Sequence, residues 1–298
     1  MNKQESPTVA QANTLFFITA VLTLAGSALF QPILGLGTNL WINEFVYILF
    51  PALLLARVND WPVEEVYRFR KTAGRNVMIS IFSGVCMWFF AFYISKSIRM
   101  LLDAGIGVMT GAEQTVPSIY QSYLLVIGTV VLAPICEETF FRGLMQKAYE
   151  GYSKRYGFVI TAIIFGFFHI LNGISEVIPA GILGLGMGYL LDKTGSIATS
   201  MLFHAAANLC AILLGGAFDR SFQSVMPVWL HVVAFTGLGL SIFLLSSVRG
   251  EKQPEEDGEV QTKQGVSATG VLFLILSAIF LLAIGVLEIL TRLNILQA

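Results

Sequence analysis

Long apolar runs separated by short polar stretches dominate the chain. A membrane-crossing helix needs about 20 mostly apolar residues, and nine segments have that character: 14–34, 41–56, 77–95, 120–146, 157–172, 177–191, 196–214, 228–247 and 269–290. The second and sixth are short. The first follows a single Lys, as a signal peptide does, but its apolar stretch is too long and lacks a clear small-residue cleavage site, so it reads as an anchor. Residues 249–268 hold Glu251, Lys252, Glu255, Glu256, Asp257 and Glu259 and form the one clearly hydrophilic linker. The pattern predicts an all-α, polytopic membrane helical bundle with eight core transmembrane helices and a ninth, C-terminal helix. It divides into N-terminal helices (1–118), a central segment (119–215), an eighth helix (216–248), the linker (249–268) and an appended last helix (269–298).

Composition supports the membrane reading. The 298 residues are 12% charged and 55% hydrophobic, against roughly 25% charged in soluble domains, and mean hydropathy is +0.74. So few charges do not cover a globular surface. A net charge of −1 supplies no basic face, which argues against nucleic acid as a partner. Cys86, Cys136 and Cys210 are odd in number and lie in apolar runs, so each reads as a small buried hydrophobe rather than half of a disulfide.

Basic residues sort by side. With the N-terminus inside, the cytoplasmic set is Lys3, Arg57, Arg68, Arg70, Lys71, Arg75, Arg142, Lys147, Lys154, Arg155, Lys193, Arg249, Lys252 and Lys263; the opposite set is Lys96, Arg99, Arg220 and Arg292. Because basic loops are retained in the cytoplasm, this imbalance predicts a cytoplasmic N-terminus, a cytoplasmic 57–76 loop and an external 96–118 loop, in a plasma-membrane protein. No long internal repeat is visible, which disfavours a transporter built from duplicated halves.

Ionisable residues inside spans are costly and mark function by default. Three clusters qualify: Glu137-Glu138-Thr139-Phe140-Phe141-Arg142, Phe165-Gly166-Phe167-Phe168-His169, and His204-Ala205-Ala206-Ala207-Asn208. Glu138 and Arg142 are i,i+4 and suit a structural ion pair, whereas Glu137 points about 100° away and has no local cation. His204 and Asn208 share a helix face. At 1.5 Å of rise per residue, Glu137, His169 and His204 lie about 15, 18 and 12 Å from the cytoplasmic ends of their spans, so the three helices can bring them together. Gly181, Gly184, Gly186, Gly188 and Ala205–Ala207 permit close helix approach. His231, Glu44 and Glu288 lack polar companions at helical spacing and read as structural or interfacial. Cys136 has no cation to stabilise a thiolate and is a poor nucleophile.

These clusters resemble the motifs of the CAAX-prenyl-protease and bacteriocin-processing (Abi) family of intramembrane proteases: E-E-x-x-x-R at Glu137, Glu138 and Arg142, F-x-x-x-H at Phe165 and His169, and H-x-x-x-N (or D) at His204 and Asn208. The resemblance covers about 120–215. It implies an eight-helix core with a cytosol-facing cavity, in which Glu137 and His169 activate water while His204 and Asn208 stabilise an oxyanion. No cofactor is then required. Family members have also been described as metalloproteases, and Glu137, His169 and His204 would make a His₂Glu zinc set, although the chain has no H-E-x-x-H. The expected activity is endopeptidase cleavage of a membrane-associated protein or peptide near the cytoplasmic face of the bilayer. A non-catalytic scaffold or immunity protein and a small-solute transporter are the competing classes; neither needs a base beside oxyanion donors.

Overall fold

The computed structural model describes residues 6–109, 118–221, 225–250 and 265–295; most of the 249–268 linker lies outside them. No strand occurs among the described residues. Among the described residues eight helices are long and apolar enough to cross a membrane: α1 (Val9–Leu34), α2 (Leu36–Val58), α3 (Gly74–Ile106), α4 (Ile119–Tyr152), α6 (Ile174–Thr194), α7 (Ile197–Asp219), α8 (Val228–Ser246) and α9 (Ala268–Arg292). Between α4 and α6 lies a shorter apolar helix, α5 (Gly157–Asn172). Large apolar side chains such as Ile33, Val228 and Phe243 face outward, as a lipid-embedded surface requires and a water-exposed one does not. The polytopic helical bundle expected from the apolar runs is the fold observed.

Local signals set several helix ends. Thr8 and Gln11 form a reciprocal capping box at the start of α1, and the Ser118 and Ser267 hydroxyls cap α4 and α9. Gly195 ends α6 in the left-handed conformation, turning the chain into α7 within two residues. Two contacts depend on a missing side chain. A Cβ on Gly84 of α3 would strike the Phe203 carbonyl oxygen of α7, and one on Gly166 of α5 would come within 2.6 Å of the Val177 carbonyl oxygen of α6. Backbone packed on backbone in this way brings α3 against α7 and α5 against α6.

The two ends of the bundle differ in charge. At one end Arg68 pairs with Glu150, Ser196 Oγ donates to the Arg70 carbonyl at 2.5 Å, and Asn76 Nδ2 donates to the Arg249 carbonyl at 3.2 Å. This basic end gathers the loops that hold most of the cations. At the opposite end Lys96 meets Asp219 at 2.7 Å, Arg99 meets Glu176 at 3.2 Å, and Arg292 meets Asp103 at 2.7 Å.

Two expectations need correction. Residues 96–106 are not loop: α3 continues to Ile106, so Lys96 and Arg99 stand on a helix. Nor is α9 an appendage. It packs along α1, Asn13 Nδ2 donates to the Gly270 carbonyl at 2.9 Å, and Glu288 accepts the Ile174 amide at 2.8 Å. The hydrophilic linker conceals this, because a long connection reveals nothing about where the helix beyond it docks.

Candidate active site

The centre of the site is a fully buried Arg142, whose charge demands partners on every side. Nη1 donates to Glu138 Oε1 at 3.0 Å and Nη2 to the Gly184 carbonyl of α6 at 3.2 Å, while its guanidinium carbon sits 4.2 Å over the Phe165 ring. The same Glu138 oxygen receives His204 Nδ1 at 2.9 Å. Glu138 therefore joins α4 to α7. Bonded to a guanidinium, it acts as an acceptor, so the imidazole proton resides on Nδ1 and Nε2 is left for water or substrate.

Phe165 positions the second histidine. Its ring centroid is 4.4 Å from that of His169 and 6.0 Å from that of His204. His169 stands where α5 tightens into a final 3₁₀ turn, and its Nδ1 lies 2.9 Å from the Phe165 carbonyl. A carbonyl only accepts, so Nδ1 carries a proton, and Nε2 offers a lone pair whenever that is the ring's one proton. Asn208, one turn beyond His204, donates Nδ2 to the Thr129 carbonyl at 2.8 Å. That carbonyl lies in a wide π turn, Gly128–Leu132, and a further π turn, Thr139–Met145, follows the glutamates. Such turns break the regular backbone ladder and recur at functional sites.

A cavity of about 360 Å³ is lined by Phe165, His169, His204 and Asn208 together. The sequence-predicted residues of the second and third clusters thus converge. Apolar walls come from Trp88, Phe92, Leu183, Met187 and Phe203, and the cavity extends along α3, α6 and α7 to Lys96, Arg99, Glu176 and Asp219.

The segment that builds this site has a recognisable kinship. Residues 119–210 match the family described as type II CAAX prenyl endopeptidase Rce1-like. The match runs from α4 into α7 and contains all three motifs, so the matched segment carries every residue of the site apart from the walls supplied by α3 and the end of α7. Neither the curated proteins nor the solved structures give a match.

Within the matched segment the two glutamates differ from the simplest expectation. Glu138 is the carboxylate that touches a histidine. Glu137 is buried at 8% exposure, does not line the cavity, and leaves Oε2 without a hydrogen bond. Its environment includes a residue that no motif or helical spacing marks. Glu44, in the π turn Asn43–Leu49 of α2, packs where α2 meets the helical stretch Ala133–Glu138 of α4; it too is buried with an unpartnered Oε2. No helical spacing links residues 44 and 137, so only packing reveals the pair. Glu288, expected to lack a polar companion at helical spacing, has one in Arg292 four residues on in α9 and also accepts the Ile174 amide from α6; His231 Nδ1 lies 3.1 Å from the Tyr93 hydroxyl of α3.

A zinc site requires its three ligands to converge. Among the described residues no three His, Cys, Asp or Glu side chains are close enough to hold a metal ion, so Glu137, His169 and His204 do not form a ready His₂Glu set. Cys136 is fully buried and Cys210 nearly so.

Proposed function

We propose that the protein is an intramembrane endopeptidase that hydrolyses peptide bonds of membrane-associated proteins or peptides by direct water attack. The observation carrying this reading is the convergence of His169, His204 and Asn208 on one membrane-embedded cavity, with His204 held by the Glu138–Arg142 pair. The Rce1-like match over 119–210 supports the same class of chemistry.

The roles follow from which atoms are free. His169, its Nδ1 proton given to a carbonyl, presents the Nε2 lone pair to a water in the cavity. Both motif glutamates leave Oε2 without a hydrogen bond, but Glu138 Oε1 is already committed to Arg142 and His204. The base role therefore falls to Glu137, whose side chain must turn toward the cavity it does not line here; it takes the proton as water attacks the scissile carbonyl and returns it to the leaving amine. The tetrahedral oxyanion is then met by Asn208, whose carboxamide keeps a second N–H after donating to Thr129, and by His204 Nε2. Since His204 already carries its proton on Nδ1, it donates from Nε2 only as an imidazolium, with Glu138 as counter-ion.

A second reading is favoured by the 2.9 Å contact itself: His204, oriented by Glu138, is the base, and Glu137 is structural. Glu137→Gln separates the two. Comparing membrane proteomes of cells carrying the parent or this variant should reveal an uncleaved precursor accumulating with the variant. Normal processing by a well-folded Glu137→Gln protein transfers the base role to the His204–Glu138 pair.

A further inference from the structure

The cavity has a direction. Along α3 its lining starts at Trp88 and ends at Arg99; along α7 it starts at Phe203 and ends at Asp219; along α6 it runs from Met187 back to Glu176. All three paths lead away from the basic end. Lys96 is 22 residues beyond the start of α3, and Asp219 is 22 residues beyond the start of α7. At 1.5 Å per residue both lie about 33 Å from the basic end, just past a hydrocarbon core about 30 Å thick. Lys96, Arg99, Glu176 and Asp219 therefore form a charged rim at the opposite membrane surface, tied together by three ion pairs.

Toward the basic end α6 and α7 are packed shut together with α4. Thr199, Ser200, Leu190, Leu191 and Gln146 are completely buried there, and Ser200 Oγ donates to the Met187 carbonyl at 2.7 Å. The histidines thus lie at the blind end of a pocket whose mouth is on the far side from the basic loops. Basic loops are cytoplasmic. The two sequence-based expectations, a cytoplasmic N-terminus and access from the cytoplasmic side, are consequently incompatible, and the charge asymmetry decides between them.

We propose that the cavity is loaded from the extracytoplasmic face, and that its substrate is an apolar peptide segment presented from outside, such as the outer juxtamembrane stretch of a membrane protein or an exported peptide. Trp88, Phe92, Leu183 and Met187 provide a wall for apolar side chains, and the rim cations and carboxylates are paired with one another, leaving no net charge to select an ionic substrate. A prenylated cytoplasmic tail would arrive at the wrong surface. The substrate half of this proposal rests on the peptidase reading; the sidedness half does not.

Thiol labelling tests the sidedness without reference to turnover. Ala211→Cys places a thiol on the cavity wall and Lys71→Cys places one in an exposed basic loop, with the parent chain, whose three cysteines are buried or half-buried, as the blank. A membrane-impermeant reagent added to intact cells should modify Ala211→Cys at least tenfold faster than Lys71→Cys, and inverted vesicles should reverse the order. Modification of Ala211→Cys only in inverted vesicles, or of both variants from the same face, overturns the proposal. Precursors that accumulate with Glu137→Gln should have their cut sites outside the membrane's cytoplasmic face; cut sites confined to cytoplasmic C-termini overturn the substrate assignment. Outward labelling without any accumulating precursor would sink the peptidase reading while leaving the sidedness intact.

Discussion

Glu138 Oε1 accepts from two residues at once, Arg142 Nη1 at 3.0 Å and His204 Nδ1 at 2.9 Å, so a single buried oxygen links the first motif to the third. Glu138 is therefore more than the partner that makes Arg142 tolerable in a membrane. It also fixes the tautomer and direction of a cavity histidine.

Replacing Glu138 with Gln should damage both functions. Breaking one partner out of a buried ion pair typically costs about 3–5 kcal/mol, so the variant should unfold in detergent at a clearly lower temperature than the parent. The fraction that remains folded should turn over slowly, since His204 loses its acceptor. A Glu138→Gln protein with parental thermal stability and parental activity would show that neither contact matters.

Glu137→Gln should separate from it cleanly. The isostere keeps shape and removes a proton acceptor whose Oε2 has no hydrogen bond to lose, so the melting temperature should stay close to that of the parent. A positioned general base contributes about 10² to 10⁴ in rate, and turnover should fall by that order. Folding and turnover measured on the same two preparations make the contrast: Glu138 is read in stability and rate, Glu137 in rate alone.

Gly84→Ala tests the packing that holds α7 in place. Its new Cβ would collide with the Phe203 carbonyl, one residue before His204, and a carbonyl on a packed helix cannot rotate aside. Overpacking of this kind costs about 1–3 kcal/mol. Gly239→Ala, where a Cβ meets nothing within 4 Å, is the control and should be neutral. Equal stability of the two variants, read by thermal melting in detergent, would argue against close contact of α3 and α7.

Ending the chain at residue 250 should destabilise the bundle, because α9 is tied in along its length: Asn13 to Gly270 near one end, Glu288 to Ile174 and Arg292 to Asp103 near the other. Arg292 is only 5% exposed, so Arg292→Ala alone, which strands Asp103 and Glu288, should lower the melting temperature in the same direction. A truncated chain as stable as the parent would restore the appendage picture.

Helices of this kind are legible from sequence because a bilayer demands a simple property, about 20 apolar residues in a row, and the three motifs are legible because ionisable groups inside such runs are rare. The Glu138–Arg142 pair follows from i,i+4 geometry within one helix. What the sequence hides is relation between helices. Nothing in the spacing of residues 138 and 204 says that their side chains meet, nothing near Glu44 marks it as a neighbour of Glu137, and Lys96 and Arg99 look like loop charges until α3 is seen to continue beneath them. The direction of the cavity belongs to the same class, because depth along a helix can be counted from sequence while the open end cannot.

Asn208 distinguishes oxyanion chemistry from metal chemistry. Removing one oxyanion donor typically lowers turnover about 10² to 10³-fold, and since the charge it meets exists mainly in the transition state, Asn208→Ala should lower kcat sharply with little change in KM. The structure adds a complication: Asn208 Nδ2 also holds the Thr129 carbonyl, so the alanine variant loses a helix-to-helix hydrogen bond worth about 1 kcal/mol. Asn208→Asp loses the same two donations at constant size, so it controls for the space that alanine leaves. It keeps the size but replaces the amide donor with a carboxylate, which cannot donate to Thr129 or to an oxyanion unless protonated. If the Thr129 contact alone mattered, both variants would lose stability and recover rate at lower temperature; if the donor matters, kcat stays low in every folded sample. A zinc enzyme on the same residues behaves differently, because Asn208 would then be an outer residue with a mild effect while His169→Ala and His204→Ala would empty the site. Metal analysis of the purified parent decides it: stoichiometric zinc, lost in both histidine variants and accompanied by chelator-reversible activity, would overturn the direct-water mechanism, whereas full activity after exhaustive chelation together with a kcat-specific Asn208→Ala defect is the outcome expected here.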